Sequence, residues 1–152
     1  GQRKVGLCWA GSPAQVNNRN RSMPLSTFAP LLDVPGVQCF SLQKGDGGHY
    51  TDASPPPDRL PDFTADWQDF SDSAAMVECL DLVITVDTSV AHLAGALGKP
   101  VWLLLGPNPD WRWLLARDDS PWYPTMRLFR RDFGETRAAQ MARVARALGA
   151  AA

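Results

Sequence analysis

In residues 82–94, an apolar run is followed at once by polar side chains that can bind an anion. Residues 82–86 are aliphatic or β-branched, Asp87, Thr88 and Ser89 follow, and a helical pattern begins at once. The first N–H groups of a helix lack partners within it, and the helix dipole favours negative charge there. Asp87 or Thr88 can cap this helix, and the hydroxyls of Thr88 and Ser89 add donors. The pattern therefore predicts a site for phosphate, such as the phosphates of a nucleotide.

His92 and Asp87 each have two interpretations. His92 follows Thr88 by one helical turn, so its imidazole is expected to face the helix start and a bound anion; the alternative is a half-exposed histidine that meets solvent. Asp87 either caps the helix or takes a ribose or sugar hydroxyl, because a bare carboxylate repels phosphate. The predicted core face of this helix consists of Val90, Leu93, Ala94 and Leu97.

The loop after the first apolar run carries further candidates. Gly11 and Ser12 follow that run, and Gly11 permits close approach of the backbone to a ligand. Arg19 and Arg21 come next, in a segment with no acidic residue before Asp33. Arginine offers a planar fork suited to phosphate oxygens, which favours anion binding over two solvated loop arginines.

Two later loops hold the remaining candidates. Gln43 and Lys44 end the second apolar run, where a lysine either reaches a phosphate as a point charge or simply marks the exit of a strand. Trp111 and Trp113 flank Arg112, and such a cluster either stacks on a base or sugar ring or, more often, packs a loop onto its domain.

Strand-like and helix-like segments alternate along the chain. Predicted strands cover residues 5–10, 37–43, 82–86, 101–105 and 126–129, and predicted helices cover residues 26–32, 88–97 and 135–148, with another that starts between residues 69 and 73 and ends near residue 80. This order predicts an α/β fold: an open, Rossmann-like parallel sheet with helices on both faces. Ligands of such sheets bind at the carboxyl ends of the strands, where the candidate loops lie.

Length and composition limit the class of protein. The chain has 152 residues, 45% of them hydrophobic, and a net charge of -1, which indicates one globular domain without a basic field for nucleic acid. No apolar run is long enough to span a membrane. The chain starts without Met close to an apolar strand, so we expect a piece of a longer protein.

The cysteines and histidines indicate neither a disulfide framework nor a metal site. Cys8, Cys39 and Cys79 have no CxxC spacing and are expected to be small buried residues in a reducing compartment, consistent with a cytoplasmic protein. Two histidines and no clustered ligands argue against a metal. The sequence also lacks the P-loop motif, the G-x-G-x-x-G dinucleotide motif and the G-x-S-x-G motif.

Two stretches resemble a known family. Residues 86–100, VDTSVAHLAGALGKP, resemble the donor-site motif of the heptosyltransferase-like family of GT-B glycosyltransferases, and residues 21–24, RSMP, resemble the basic-x-aromatic-Pro stretch of that family's second domain. The resemblance covers roughly residues 5–131. Arg21 stands where that family usually has lysine, and Met23 where an aromatic residue is common. The wider pattern is similar to bacterial proteins in which tetratricopeptide repeats precede such a domain, and more distantly to O-linked N-acetylglucosamine transferases.

The resemblance implies that residues 1–152 form the donor domain, the second half of a GT-B enzyme, which binds a nucleotide-diphosphate sugar. Thr88 and Ser89 would hold the diphosphate with His92 close by, and Asp87 would touch the sugar or ribose. Arg21 and Lys44 would neutralise the charge of the phosphates. The implied reaction is inverting and independent of metal, so no cofactor is expected beyond the donor substrate. The acceptor, a glycan or a protein, and the catalytic base would belong to an N-terminal domain of the same protein.

Three classes of function fit these residues. The first is the nucleotide-sugar half of a glycosyltransferase, which is expected to fold alone but not to turn over. The alternative is a non-catalytic Rossmann-like module that binds a nucleotide, a glycan or a protein. The missing glycine motif disfavours the third, an oxidoreductase. On the first hypothesis no residue has an assigned catalytic role, and the donor-binding residues are Gly11, Ser12, Arg19, Arg21, Gln43, Lys44, Asp87, Thr88, Ser89 and His92.

Overall fold

A computed structural model describes residues 1–45 and 47–151 of the chain. Within them, five strands form one sheet in the order β2-β1-β3-β4-β5, with every neighbouring pair parallel. The strands are β1 (Arg3–Cys8), β2 (Val37–Ser41), β3 (Leu82–Val86), β4 (Val101–Leu105) and β5 (Met126–Arg130). All residues of β3 and β4 are buried, as a parallel sheet covered on both faces requires.

Helices cover both faces of this sheet. They are α1 (Asn18–Arg21), α2 (Ala29–Leu32), α3 (Phe70–Glu78), α4 (Ser89–Ala96) and α5 (Arg137–Ala151). One core contains Leu31 of α2 and Val144 of α5, and the other contains Val77 of α3 and Ala94 of α4. The predicted α/β, Rossmann-like architecture is confirmed.

The first strand lies two residues earlier than predicted, and its end has a local reason. It runs from Arg3 to Cys8 rather than over residues 5–10. The side-chain oxygen of Gln43 accepts hydrogen bonds from the backbone N–H groups of Trp9 (3.2 Å) and Ala10 (2.9 Å). These two amides therefore bond to a side chain instead of to a neighbouring strand, and the chain is free to leave the sheet after Cys8.

The core face of α4 differs from the predicted one. The buried residues are Ala91, Ala94 and Gly95, whereas Leu97 is 38% exposed. The Tyr123 ring occupies the space beside Gly95, where an added Cβ would lie 2.6 Å from a ring carbon. Small residues therefore let α4 pack closely against both the sheet and this ring, a tertiary effect that hydrophobic spacing alone does not reveal.

The cysteine prediction is correct at two of three positions. Cys8 and Cys39 are buried and unpaired, whereas Cys79, at the end of α3, is exposed. In the part of the chain that the structure describes, no helix has the length and apolarity needed to cross a membrane.

Candidate functional site

A cleft opens where the strand order reverses. The chain runs from β1 to β2 on one side of β1 and then returns to β3 on the other, so the carboxyl ends of β1 and β3 flank the switch point. A cavity of about 720 Å³ lies there. Open α/β sheets bind their ligands at such a point. We call it the main cleft, and seven predicted site residues line it: Gly11, Ser12, Arg21, Gln43, Lys44, Thr88 and Ser89.

The start of α4 faces the main cleft without a side-chain cap. The N-cap residue is Thr88, in extended backbone conformation, and its hydroxyl lies 3.2 Å from the Thr85 hydroxyl rather than on the helix amides. The first turn of α4 contains no acidic residue. Ser89 and Val90 both line the cleft, and amides at these first positions have no partner within a helix. This end of α4 therefore offers N–H donors and the positive end of a helix dipole.

The start of α3 also borders the main cleft, but its own carboxylates cap it. Asp69 accepts hydrogen bonds from the backbone N–H (2.7 Å) and hydroxyl (2.5 Å) of Ser71. Asp72 accepts in return from the backbone of Gln68 and Asp69. The Ser71 hydroxyl is the main reason that the pKa of Asp69 lies below its usual range. An anion therefore finds open donors at α4 and two carboxylates at α3.

Arg21 is held between the two walls of the main cleft near α4. Its guanidinium donates to the Asp87 carbonyl (2.8 Å), to the Asn18 side-chain oxygen (3.2 Å) and to the Ser12 carbonyl (3.5 Å). Each of the three nitrogens makes one of these bonds, so two of the five N–H groups are left for a ligand. Among the described residues no carboxylate forms an ion pair with Arg21.

Gly11 provides the space in which the Arg21 guanidinium lies. A Cβ added at Gly11 would come within 2.2–2.6 Å of three guanidinium atoms of Arg21. The sequence suggests that Gly11 admits a ligand, whereas in the structure it admits the arginine side chain.

We expect Gly11→Ala to displace Arg21 and to weaken binding of an anion in the main cleft about tenfold or more, the value of one charge-assisted hydrogen bond. Isothermal titration with a nucleoside diphosphate measures this. Gly149→Ala is the control, since this glycine of α5 lies off the cleft, has no left-handed φ, and an added Cβ would meet its nearest atom, on Val34, at 3.8 Å. Equal loss in both variants would contradict the steric explanation.

Gln43 and Lys44 line the wall of the main cleft opposite α4, and they offer different donors there. The Gln43 oxygen is used by Trp9 and Ala10, and among the described residues nothing accepts from its NH₂ group. That group is open to solvent, because the same residues leave no buried polar side-chain atom unpaired. The Lys44 ammonium donates to the Trp67 carbonyl and keeps two further protons. Beneath them, burial raises the pKa of the Cys8 thiol, so the floor is uncharged.

One wall of the main cleft contains no residue that was predicted from the sequence. That wall follows the long loop after β2 and consists of Trp67, Gln68, Asp69, Phe70 and Ser73. Phe70 is 63% exposed, so its ring is open to a ligand in the main cleft. The place of this segment in the predicted topology could have revealed it. The loop between β2 and α3 starts and ends at the same edge of the sheet as the other candidate loops.

Three predicted site residues, Arg19, Asp87 and His92, lie off the main cleft. Arg19 is exposed, and its carbonyl accepts from Arg137. The Asp87 carboxylate neither caps α4 nor lines the cleft, because it accepts from the Trp113 indole N–H (2.9 Å).

His92 does not face the helix start as expected. Its Nδ1 lies 2.9 Å from the Tyr123 hydroxyl, and its ring stacks on Trp113 with centroids 5.4 Å apart.

The two predicted tryptophans of the loop after β4 differ in exposure: Trp113 is fully buried, whereas Trp111 is 68% exposed. One of them packs the loop onto the domain and the other remains available at the surface.

The fold defines a Rossmann-like α/β class of domain with a cleft at its switch point, and the comparisons identify the family. The model of glycosyltransferase family 9 (heptosyltransferase) matches residues 68–145, half of the chain. The chain therefore belongs to glycosyltransferase family 9. Protein FlbA of Caulobacter vibrioides is 31% identical over 134 residues, which cover 83% of this chain and 22% of FlbA.

Two solved structures share the fold. The Escherichia coli heptosyltransferase WaaC, solved with ADP, has a TM-score of 0.64 and 13% identity over 96% of this chain and 44% of its own. The E. coli ADP-heptose LPS heptosyltransferase II has a TM-score of 0.66 and 18% identity over 98% of this chain and 46% of its own. The chain thus spans under a quarter of FlbA and under half of each heptosyltransferase. The predicted GT-B, heptosyltransferase-like fold is confirmed.

Proposed function

We propose that this chain is the donor domain of a glycosyltransferase and that its main cleft binds the diphosphate of a nucleotide sugar. One observation carries the proposal: the uncapped start of α4 and the unpaired charge of Arg21 face the same cleft. The second helix start on that cleft is closed by Asp69 and Asp72, so only one end of the cleft favours an anion. WaaC, which shares the fold, was solved with ADP.

The groups at that end suit the chemistry of glycosyl transfer. When the glycosidic bond breaks, negative charge grows on the departing diphosphate. Donors fixed in advance at that position stabilise the transition state, and removing one typically costs about 3–4 kcal/mol of barrier. The amides of Ser89 and Val90, the Ser89 hydroxyl and Arg21 are such donors, whereas Lys44 lies on the opposite wall beside Trp67. On this proposal they take the place of a metal, and no cofactor is required beside the donor.

The remaining space of the main cleft extends toward α3. Trp67 and Phe70 give that wall an apolar character, and the NH₂ group of Gln43 supplies a polar contact between the two ends. A base and ribose fit an apolar wall with few polar groups better than the phosphates do. The nucleoside is therefore proposed to lie toward α3 and the diphosphate toward α4.

The acceptor and the catalytic base are proposed to belong to another domain of the same protein. The heptosyltransferases that share this fold are more than twice as long as the part this chain covers. Among the described residues that line the main cleft, no carboxylate or imidazole is positioned as a base for an acceptor hydroxyl, since Asp69 is engaged with Ser71. The acceptor is proposed to be a glycan or a protein, and the isolated domain to bind its donor without turnover.

Thermal unfolding with a panel of UDP, ADP, GDP, CDP and their sugars tests the proposal. A ligand at 100 times its Kd adds about 2.7 kcal/mol of stability. For a domain of this size each kcal/mol raises Tm by about 2–4 °C. One base is expected to raise Tm by several degrees, in buffer containing a chelator. A flat response to every nucleotide would instead support a non-catalytic module.

A further inference from the structure

A second, smaller cleft adjoins α4 and the loop after β4. Its volume is about 250 Å³, roughly a third of the main cleft, and five side chains line it: His92, Trp111, Arg112, Trp122 and Tyr123. We call it the aromatic cleft. It falls just below the ~300–1,000 Å³ typical of sites for drug-sized ligands, so it suits one ring rather than a nucleotide.

The walls of the aromatic cleft are held by hydrogen bonds among its own lining residues and among the residues beneath them. The Trp122 indole N–H donates to the Arg112 carbonyl (2.8 Å), and the Tyr123 hydroxyl lies 2.9 Å from His92 Nδ1. Below them, the buried Trp113 bonds to Asp87, and Arg130 donates to the Trp113 carbonyl. The loop therefore holds its shape without a ligand, and little conformational entropy remains to be lost on binding.

Within these fixed walls, two large aromatic faces stay open to solvent. Trp111 is 68% exposed and Trp122 is 56% exposed. Both rings line the same cleft, so together they form one exposed apolar surface. Contiguous exposed apolar surface on a folded domain marks a binding site more often than it occurs by chance.

Two polar groups border these faces. Because His92 Nδ1 is engaged by Tyr123, its Nε2 is the nitrogen left for a ligand, and no described residue bonds to it. The Arg112 guanidinium lies over the Trp111 ring, 4.9 Å from its centre, and donates a hydrogen bond to the Asp110 carboxylate at 2.9 Å. The occupant must therefore combine an apolar face with a hydrogen-bonding rim. A sugar ring has this character, with C–H groups on its face and hydroxyls around its edge.

We propose that the aromatic cleft binds a pyranose ring, with its face against Trp111 and Trp122 and its hydroxyls on His92 Nε2 and Arg112. The choice of a sugar rests on the proposed function, which supplies two sources: the glycosyl group of the donor or a glycan acceptor.

The six tryptophans of the chain allow both clefts to be followed in one NMR experiment. Indole N–H resonances of ¹⁵N-labelled protein are assigned with single Trp→Phe variants and titrated with methyl glycosides of glucose, galactose, mannose and N-acetylglucosamine at millimolar concentrations. At least one glycoside is expected to shift the signals of Trp111 and Trp122 and to leave Trp67, in the main cleft, unmoved. Nucleoside diphosphates report separately through Trp67, so this proposal and the proposed function can fail independently.

Trp111→Ala is expected to weaken the glycoside response of Trp122 at least tenfold. Phe133→Ala removes another exposed aromatic side chain, one that lines neither cleft, and is expected to leave the response unchanged. Competition shows which sugar occupies the aromatic cleft. If a nucleotide sugar displaces the glycoside, the cleft binds the glycosyl group of the donor. If the glycoside and the nucleotide sugar bind together, the cleft binds the acceptor. No shift with any glycoside, or an equal shift in Trp111→Ala, would overturn the proposal.

Discussion

Arg21→Ala is expected to weaken binding of the preferred nucleoside diphosphate by about 10- to 150-fold. The variant loses a hydrogen bond between charged groups, worth about 1.5–3 kcal/mol, and a tenfold change in Kd corresponds to about 1.4 kcal/mol. Stability should change little by comparison, because the guanidinium is partly exposed and bonds mainly to carbonyls at the rim of the cleft. Isothermal titration of the folded variant measures the loss directly.

Arg19→Ala is the matched control for this variant. It removes the same side chain two residues away, from an exposed position off the main cleft. It is expected to bind nucleotide within about twofold of the original protein, because screening weakens exposed charges beyond about 10 Å. If both variants bound like the original, the diphosphate would not lie at the start of α4. If both lost binding equally, net charge rather than contact with Arg21 would be responsible.

Trp113→Ala is expected to lower the free energy of unfolding by about 3–5 kcal/mol, the usual cost of truncating a fully buried large aromatic side chain. Trp113 is 0% exposed, and its indole N–H pairs with the Asp87 carboxylate. The variant therefore leaves both a cavity and an acceptor without its donor. Unfolding in urea, followed by far-UV circular dichroism, gives the difference.

Trp111→Ala provides the comparison for that prediction. The same truncation at a side chain that is 68% exposed is expected to change the free energy of unfolding by at most about 0.5 kcal/mol. Similar losses in the two variants would mean that the loop after β4 is not anchored by Trp113. The pair also shows that the effect of Trp111→Ala on glycoside binding is not a consequence of unfolding.

The fold was predictable because its signals are local. Apolar strands, a polar turn after Val86 and an amphipathic final helix are readable one segment at a time. Once the strands are assumed parallel, their carboxyl ends meet at one edge, and this places seven candidate residues on one cleft. Tetratricopeptide repeats before the domain stay a prediction.

The candidates that lie elsewhere depend on distant partners. Arg19 and Arg21 belong to one helical turn, α1, where residues two apart point about 200° away from each other. Asp87 is engaged by Trp113, 26 residues on, and His92 by Tyr123, 31 residues on. No local spacing predicts these contacts. The wall from Trp67 to Ser73 was missed for the same reason, since a long loop separates it from β2.

The Gln43 side chain has a consequence for the width of the main cleft. Its oxygen accepts the two backbone amides that follow β1, where β2 supplies no strand partner. The distance between the loop after β1 and the end of β2 therefore depends on the reach of one glutamine. A longer or shorter side chain would leave every strand pairing in place but would move the two walls of the cleft relative to each other. The width of the cleft is thus adjustable through one residue, at the cost of two amides without their acceptor.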